Sequence, residues 1–304
     1  WHWYAPHTAV VPTIGRGAVY TINDGVAIAL SMGTGKEIWR NRIAPTSGGD
    51  TYYVAEYEGR LFTAANASIN PYGAGNTRAY SLNATNGDLL WDYSPEEEGH
   101  PGLWNFMPMF PGDGSVIFMD WSGAVYKLAI DSGSVLWRAG PPEQYKMSFT
   151  DGGVILGPDN TAYACTNLGI GLAGSKGALR AYRHDGQLLW DQELPLPCTS
   201  WAAISPDNKW GVVPIASFVF PPLANLLIGH WPWWLLRLTQ ALELALGRWF
   251  RWIPWFTEIP TTRQEFYAFD VATGKQLWKH VLPDWERMAA LGDGEGFFQR
   301  ATLP

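Results

Sequence analysis

The chain has 304 residues, of which 47% are hydrophobic and only 16% are charged, and its formal net charge is −7 at pH 7. This acidic balance argues against a nucleic-acid partner, because phosphate binding relies on clustered Lys and Arg. The 33 Gly and 22 Pro indicate many turns, and residues 1–304 are predicted to form one large all-β domain.

A short motif recurs five times along the chain. In each copy a strand-like run ends in a glycine turn, and a tryptophan follows that glycine by four residues. The Trp-to-Trp intervals are 52, 46, 53 and 88 residues, and a recurring interval of this size indicates one supersecondary unit repeated in space. The five pairs are Gly35 and Trp39, Gly87 and Trp91, Gly133 and Trp137, Gly186 and Trp190, and Gly274 and Trp278.

The residue types in this motif have a physical explanation. A tight turn between antiparallel strands favours a glycine in the left-handed conformation. An acidic side chain just before it, as at Asp131, Asp185 and Asp270, is able to accept hydrogen bonds from the backbone of the turn. The tryptophan then lies on an alternating strand, where its large ring fills the gap between neighbouring sheets. We therefore predict that these tryptophans and glycines are structural.

Each repeat contains enough strand-like sequence for a four-stranded sheet. The first has Ala9–Val11, Gly17–Ile22 and Val26–Leu30 before its turn, and one further strand follows the turn. Four-stranded sheets repeated radially make a β-propeller, whereas a stacked solenoid usually has shorter repeats. We expect five blades and a partial sixth, so that either the chain is a piece of a longer protein or the ring closes by pairing of the C-terminal strand with residues 1–4. The predicted bounds are about 1–45, 46–98, 99–141, 142–195, 196–283 and 284–304.

The repeat, in the form Asp270-Val-Ala-Thr-Gly274 followed by Trp278, resembles that of the pyrroloquinoline-quinone-type β-propellers. The resemblance covers nearly the whole chain apart from one insertion. It implies an eight-bladed propeller held together by tryptophan docking. The same repeat occurs in quinone-dependent enzymes and in non-catalytic relatives such as the bacterial outer-membrane assembly lipoprotein.

An enzyme of that family is expected to have Glu, Asn and Asp around calcium, a catalytic Asp and, in many members, two adjacent cysteines. This chain has no such cysteine pair, and no motif in it matches the calcium or catalytic positions. We therefore predict no catalytic, cofactor-binding or metal-binding residues and favour a non-catalytic scaffold. The alternative is an oxidoreductase that depends on the quinone and calcium, or a fragment of one.

One segment departs from the repeat. The last interval exceeds the others by about 40 residues, which matches a predicted helical insertion, 218–260, within the fifth repeat. Between Pro232 and Pro254 an amphipathic helix of 21 residues is predicted. It is long enough to span a bilayer, but its charged side chains favour lying flat at the membrane surface. The predicted contact residues are Trp231, Trp233, Trp234, Leu238, Leu242, Leu246, Trp249, Phe250, Trp252 and Trp255.

A helix folded over the propeller, or laid into a groove of another protein, remains an alternative for this segment. The predicted partners are a membrane surface, integral membrane subunits of a complex, or both, and the predicted location is peripheral on a membrane in an exported or organellar setting. Cys165 lies in a predicted strand of the fourth repeat and Cys198 begins the fifth, so the two could approach each other. We expect them to be buried free thiols rather than a disulfide.

Overall fold

The structure of the chain is a computed structural model, which describes residues 12–45, 54–65, 78–103, 106–120, 122–140, 153–168, 176–198, 200–216 and 264–282. These residues form nineteen strands and one short 3-10 helix, Pro95–Glu98, so the predicted all-β class is confirmed. The predicted helical insertion lies outside the described residues, as do Ala9–Val11 and the two chain ends that were expected to pair.

Five antiparallel sheets follow one another along the chain, and in each the strands pair in sequence order. The first, second, fourth and fifth sheets have four strands, as predicted. The third has three strands, and Met109 pairs with Ile117 where its first strand is expected. Sheet 1 contains β1 (Thr13–Gly15), β2 (Ala18–Asn23), β3 (Val26–Ser31) and β4 (Glu37–Arg42). Sheet 2 contains β5 (Ala55–Tyr57), β6 (Arg60–Ala65), β7 (Arg78–Asn83) and β8 (Leu89–Tyr93).

The remaining sheets continue the same order. Sheet 3 contains β9 (Ser115–Met119), β10 (Val125–Ala129) and β11 (Val135–Ala139). Sheet 4 contains β12 (Val154–Leu156), β13 (Ala162–Leu168), β14 (Lys176–Tyr182) and β15 (Leu188–Leu194). Sheet 5 contains β16 (Ala203–Ile204), β17 (Trp210–Ala216), β18 (Gln264–Asp270) and β19 (Gln276–Leu282). Each β-ladder in the described ranges pairs strands of the same sheet. In this part of the chain the five sheets therefore follow one another without closing into a ring.

The core lies between the sheets, in four seams that each join one sheet to the next. Because side chains alternate along a strand, one strand serves two seams. On β6, Leu61 and Ala65 pack in the seam between sheets 1 and 2, whereas Phe62 and Ala64 pack in the seam between sheets 2 and 3. Burying a side chain such as Phe62 contributes about 1.5–3 kcal/mol. Middle strands therefore have hydrophobic residues on both faces.

The glycine turns adopt the predicted conformation. The five turn glycines have φ between 69° and 88°, the left-handed region that favours glycine. Asp185 Oδ1 accepts a hydrogen bond from the backbone of Gln187, and Asp270 Oδ1 accepts one from the backbone of Thr273. Asp131 differs from its prediction, because its carboxylate accepts a hydrogen bond from Arg60 of the preceding sheet at 2.6 Å.

Candidate protein-interaction surface

Four of the repeat tryptophans connect one sheet to the turn of the next. In each, the indole Nε1 donates a hydrogen bond to a backbone carbonyl just before the next turn glycine. The distances are 3.1 Å from Trp39 to Ala84, 2.6 Å from Trp91 to Ile130, 3.0 Å from Trp137 to His184 and 2.9 Å from Trp190 to Val271. The indole nitrogen thus has a partner at the edge of each seam.

The turn glycines also leave room for these rings. A Cβ placed on Gly87 would lie 2.6 Å from Trp39, and one placed on Gly133 would lie 2.7 Å from Trp91. The corresponding distances to the tryptophan of the preceding sheet are 2.9 Å for Gly186 and 2.5 Å for Gly274. Glycine is therefore required in these turns both for its positive φ and because an indole ring packs against it.

Trp278, the fifth repeat tryptophan, has a different environment. It pairs in register with Ala268, which pairs with Val212, so these side chains share one face of sheet 5. Trp210 lies two residues from Val212 on that face. The opposite face holds Tyr267 and packs against sheet 4. Trp210 and Trp278 are 44% and 48% exposed, so the aromatic face of sheet 5 reaches solvent.

The outermost strand of every sheet exposes an apolar side chain directly before its tryptophan. These five residues are 42–55% exposed. In the first four sheets the tryptophan points into a seam, and in every sheet the residue before the tryptophan points to the opposite face. Three sheets add a second exposed apolar residue one position earlier. We call this set the outer stripe: Ile38, Leu89, Leu90, Val135, Leu136, Leu188, Leu189 and Leu277.

Charged residues directly follow the same tryptophans. They alternate in sign from sheet to sheet, and each has an ion-pair partner within its own sheet. Charges on edge strands discourage unselective pairing with other strands. The outer strands thus present an apolar stripe beside a charged row formed by Arg40, Asp92, Arg138, Asp191 and Lys279.

Asp120, in the turn between β9 and β10, is a buried carboxyl with several hydrogen-bond donors. Its Oδ1 accepts hydrogen bonds from the backbone and hydroxyl of Ser122 and from the backbone of Ala124, at 2.7–3.0 Å. Its Oδ2 accepts one from the Tyr126 hydroxyl at 2.8 Å, and Arg138 Nε donates to that hydroxyl at 2.9 Å. Burial raises the pKa of the Asp120 carboxyl, although these donors act to lower it.

The Asp120 network is a structural anchor for its turn. Every donor to the carboxylate comes from the same sheet, and the side chain is buried. Burial also raises the pKa of the neighbouring Tyr126 hydroxyl, which keeps this group protonated and able to donate. The network therefore holds a turn in place and presents no reactive group to solvent.

Comparison with known proteins places this geometry in a family. A family model described as outer membrane protein assembly factor BamB matches residues 11–203, which is more than half of the chain. The chain belongs to this family. The match confirms the resemblance predicted from the glycine and tryptophan repeats. Among curated protein sequences, none matches the chain.

Two solved structures share the fold of this BamB-family chain. BamB from Moraxella catarrhalis is 15% identical, with a TM-score of 0.54, and the alignment covers 87% of this chain and 61% of that one. The computationally designed Ika8 protein is 10% identical, with a TM-score of 0.50, and the alignment covers 90% of this chain and 61% of that one. This chain therefore spans about three fifths of the length of either structure.

The predicted membrane or partner contacts of this BamB-family chain, Trp231 to Trp255, lie outside the described residues. The described residues on either side, Ala216 and Gln264, are paired in the ladder between β17 and β18. This connection starts at the same end of its sheet as the turn between β2 and β3, opposite to the glycine turns. In the part of the chain that the structure describes, no helix is long and apolar enough to cross a membrane.

Besides Asp131, two features of this chain differ from what the sequence predicted. Cys165 and Cys198 form a disulfide, so the expectation of two free thiols was wrong. Cys165 lies on β13 of sheet 4, whereas Cys198 lies in the connection between β15 and β16 and pairs with Ile215 of β17, so the packing of sheet 4 on sheet 5 brings the two cysteines together. The outer stripe was not predicted, although the apolar residue before each tryptophan is visible in the sequence.

Proposed function

We propose that this chain is a non-catalytic scaffold that binds other proteins in the assembly of outer-membrane proteins. Membership of the BamB family supports a role in the assembly of outer-membrane proteins. The observation that carries the proposal is the outer stripe, because exposed apolar side chains that recur on every sheet are typical of a surface that binds protein. They lie on rigid strands, so binding requires little ordering of the scaffold.

A photocrosslinking experiment tests this surface. A photoreactive amino acid replaces Leu136 or Leu189 of the outer stripe, and Ile14 serves as the control position. Ile14 is 67% exposed but lies on β1, the first strand of its sheet, away from the stripe. We expect the two stripe positions to crosslink an identified component of the outer-membrane assembly machinery in the cell envelope. Equal labelling from Ile14, or no adduct from either stripe position, would contradict the proposal.

Charge substitutions provide a second test. Leu136→Glu and Leu189→Glu place carboxylates on the stripe while leaving the seams unchanged, since both side chains are about half exposed. We expect affinity for the crosslinked partner to fall by at least about tenfold, or about 1.4 kcal/mol. Ile14→Glu is the matched control and should bind normally.

We further propose that segment 218–260 attaches the scaffold to a membrane or to a membrane-embedded partner. Its amphipathic, tryptophan-rich sequence supports this role. Because Ala216 and Gln264 are direct ladder partners, residues 217–263 can be replaced by Asn-Gly, which suits a two-residue hairpin turn. In liposome flotation we expect the intact chain to float with the vesicles and the shortened chain to remain at the bottom. Equal recovery of the two chains would refute the attachment role.

The scaffold proposal excludes quinone chemistry as the function. We expect titration with pyrroloquinoline quinone and calcium to show no stoichiometric change in the absorbance of the quinone. Stoichiometric uptake would overturn the scaffold proposal in favour of the enzyme alternative.

A further inference from the structure

We propose that the disulfide between Cys165 and Cys198 is a redox latch that holds sheet 5 on sheet 4. Cys165 lies on β13 of sheet 4 and belongs to the hydrophobic cluster of the seam between these sheets. Cys198 lies beside β17 of sheet 5, where it pairs with Ile215. The bond therefore crosses the seam and joins two sheets covalently.

This covalent link is found in one seam only, since the chain has two cysteines. Noncovalent contacts accompany it. The backbone N–H of Cys198 donates to Asn167 Oδ1 at 2.6 Å, and Trp190 donates to Val271 in the same seam. The tryptophan contact is shared with the other three seams, so the disulfide distinguishes this seam from them.

Sheet 5 is expected to be less stable than the other sheets without a covalent link. Its strands β17 and β18 are separated by 47 residues, 217–263, whereas β2 and β3 are joined by a two-residue turn. The entropic cost of bringing strand ends together grows with the length of the connection. Sheet 5 is therefore expected to be the sheet that opens most easily. The disulfide offsets that weakness by tying the beginning of sheet 5 to sheet 4.

The redox chemistry of the disulfide determines the kind of compartment in which the bond forms. Two thiols lose two protons and two electrons as the sulfur–sulfur bond forms, and a disulfide of a thiol–disulfide oxidoreductase is reduced to two thiols. Such bonds persist in oxidising compartments. Both cysteines are fully buried, so exchange requires the seam to be open. We infer that the bond forms before sheet 5 settles on sheet 4.

Hydrogen exchange measured by mass spectrometry on the full chain tests the latch. The oxidised and reduced forms of the same protein are compared, so that no side chain is lost. The closed loop has a sequence separation of 33 residues, for which loop closure corresponds to a factor of about two to three orders of magnitude. We expect exchange in β16–β19 to become faster by up to this factor after reduction, with β1–β8 unchanged. Unchanged exchange in every strand, or equal acceleration in all five sheets, would overturn the proposal.

A shortened chain provides the second test, because it removes the weakness that the latch offsets. In the variant with Asn-Gly in place of residues 217–263, β17 and β18 become a hairpin. We expect reduction of this variant to accelerate exchange in sheet 5 much less than in the full chain. An equal effect in both chains would show that the bond does not act through the long connection. Thiol titration of unfolded protein from an oxidising compartment must find no free cysteine, and two free thiols would also refute the latch.

Discussion

A turn glycine is needed both for its positive φ and because an indole ring packs against it. Replacing glycine with alanine at two different turns separates these two requirements. Gly133 and Gly114 both belong to the third repeat and both have positive φ, 70° and 79°. A Cβ on Gly133 would lie 2.7 Å from Trp91, whereas a Cβ on Gly114 would have nothing within 4 Å. The two substitutions therefore share the backbone cost and differ in the contact with tryptophan.

The expected magnitudes follow from these distances. Left-handed backbone costs an alanine about 1–2 kcal/mol, so Gly114→Ala should lower the free energy of unfolding by that amount. Gly133→Ala adds overpacking against a buried ring, about 1–3 kcal/mol. Any loss of the hydrogen bond from Trp91 to Ile130 adds about 1 kcal/mol. We expect Gly133→Ala to be the more destabilising by about 2–4 kcal/mol.

Urea unfolding of the two variants and the parent chain measures this difference. A double-mutant cycle with Trp91→Ala locates its origin, because without the indole ring Gly133→Ala should cost no more than Gly114→Ala. If the two glycine variants were equally stable, or if the penalty at Gly133 persisted without Trp91, the packing argument would be refuted.

Three further predictions concern the disulfide, the buried carboxylate and the outer stripe. Reduction of the disulfide should lower the free energy of unfolding by about 4 kcal/mol in urea titrations. Because burial raises the pKa of Asp120, its contribution is most favourable below its unfolded pKa and is lost as pH rises through its folded pKa. Tyr126→Phe removes a donor to the ionised form, so its cost, about 1–3 kcal/mol, should be larger near pH 7 than near pH 4. Leu136→Ala should change stability by less than about 0.5 kcal/mol, whereas Leu128→Ala in a buried seam should cost about 2–5 kcal/mol by thermal or urea unfolding.

Local chemistry made much of the fold predictable. A turn that needs a left-handed residue selects glycine, and the spacing from Gly133 to Trp137 fixes the strand that follows. The same reasoning failed for Asp131, whose carboxylate pairs with Arg60, 71 residues earlier. Nothing near Asp131 in the sequence marks that partner, because the contact depends on how one sheet sits against the next.

The disulfide could not be predicted either, because it too depends on how one sheet sits against the next. Cys165 points into its seam through strand alternation, but the position of Cys198 depends on pairing with Ile215 of β17. That register is a property of the folded sheet. By contrast, the part of the outer stripe directly before each tryptophan follows from alternation on the last strand of a sheet, where the face opposite the tryptophan is exposed.

In one repeat, therefore, the tryptophan stabilises the packing between two sheets and the residue directly before it forms part of the exposed surface. In sheet 2, Trp91 is 8% exposed and holds the seam to sheet 3, while Leu90, directly before it, is 42% exposed and faces solvent. Substitution of the tryptophan removes packing from the seam, whereas substitution of the leucine changes only the surface. Because the two side chains lie on opposite faces of one strand, a sequence can change what the outer stripe binds without loosening the sheets. A scaffold with this arrangement can acquire new partners at little cost to its stability.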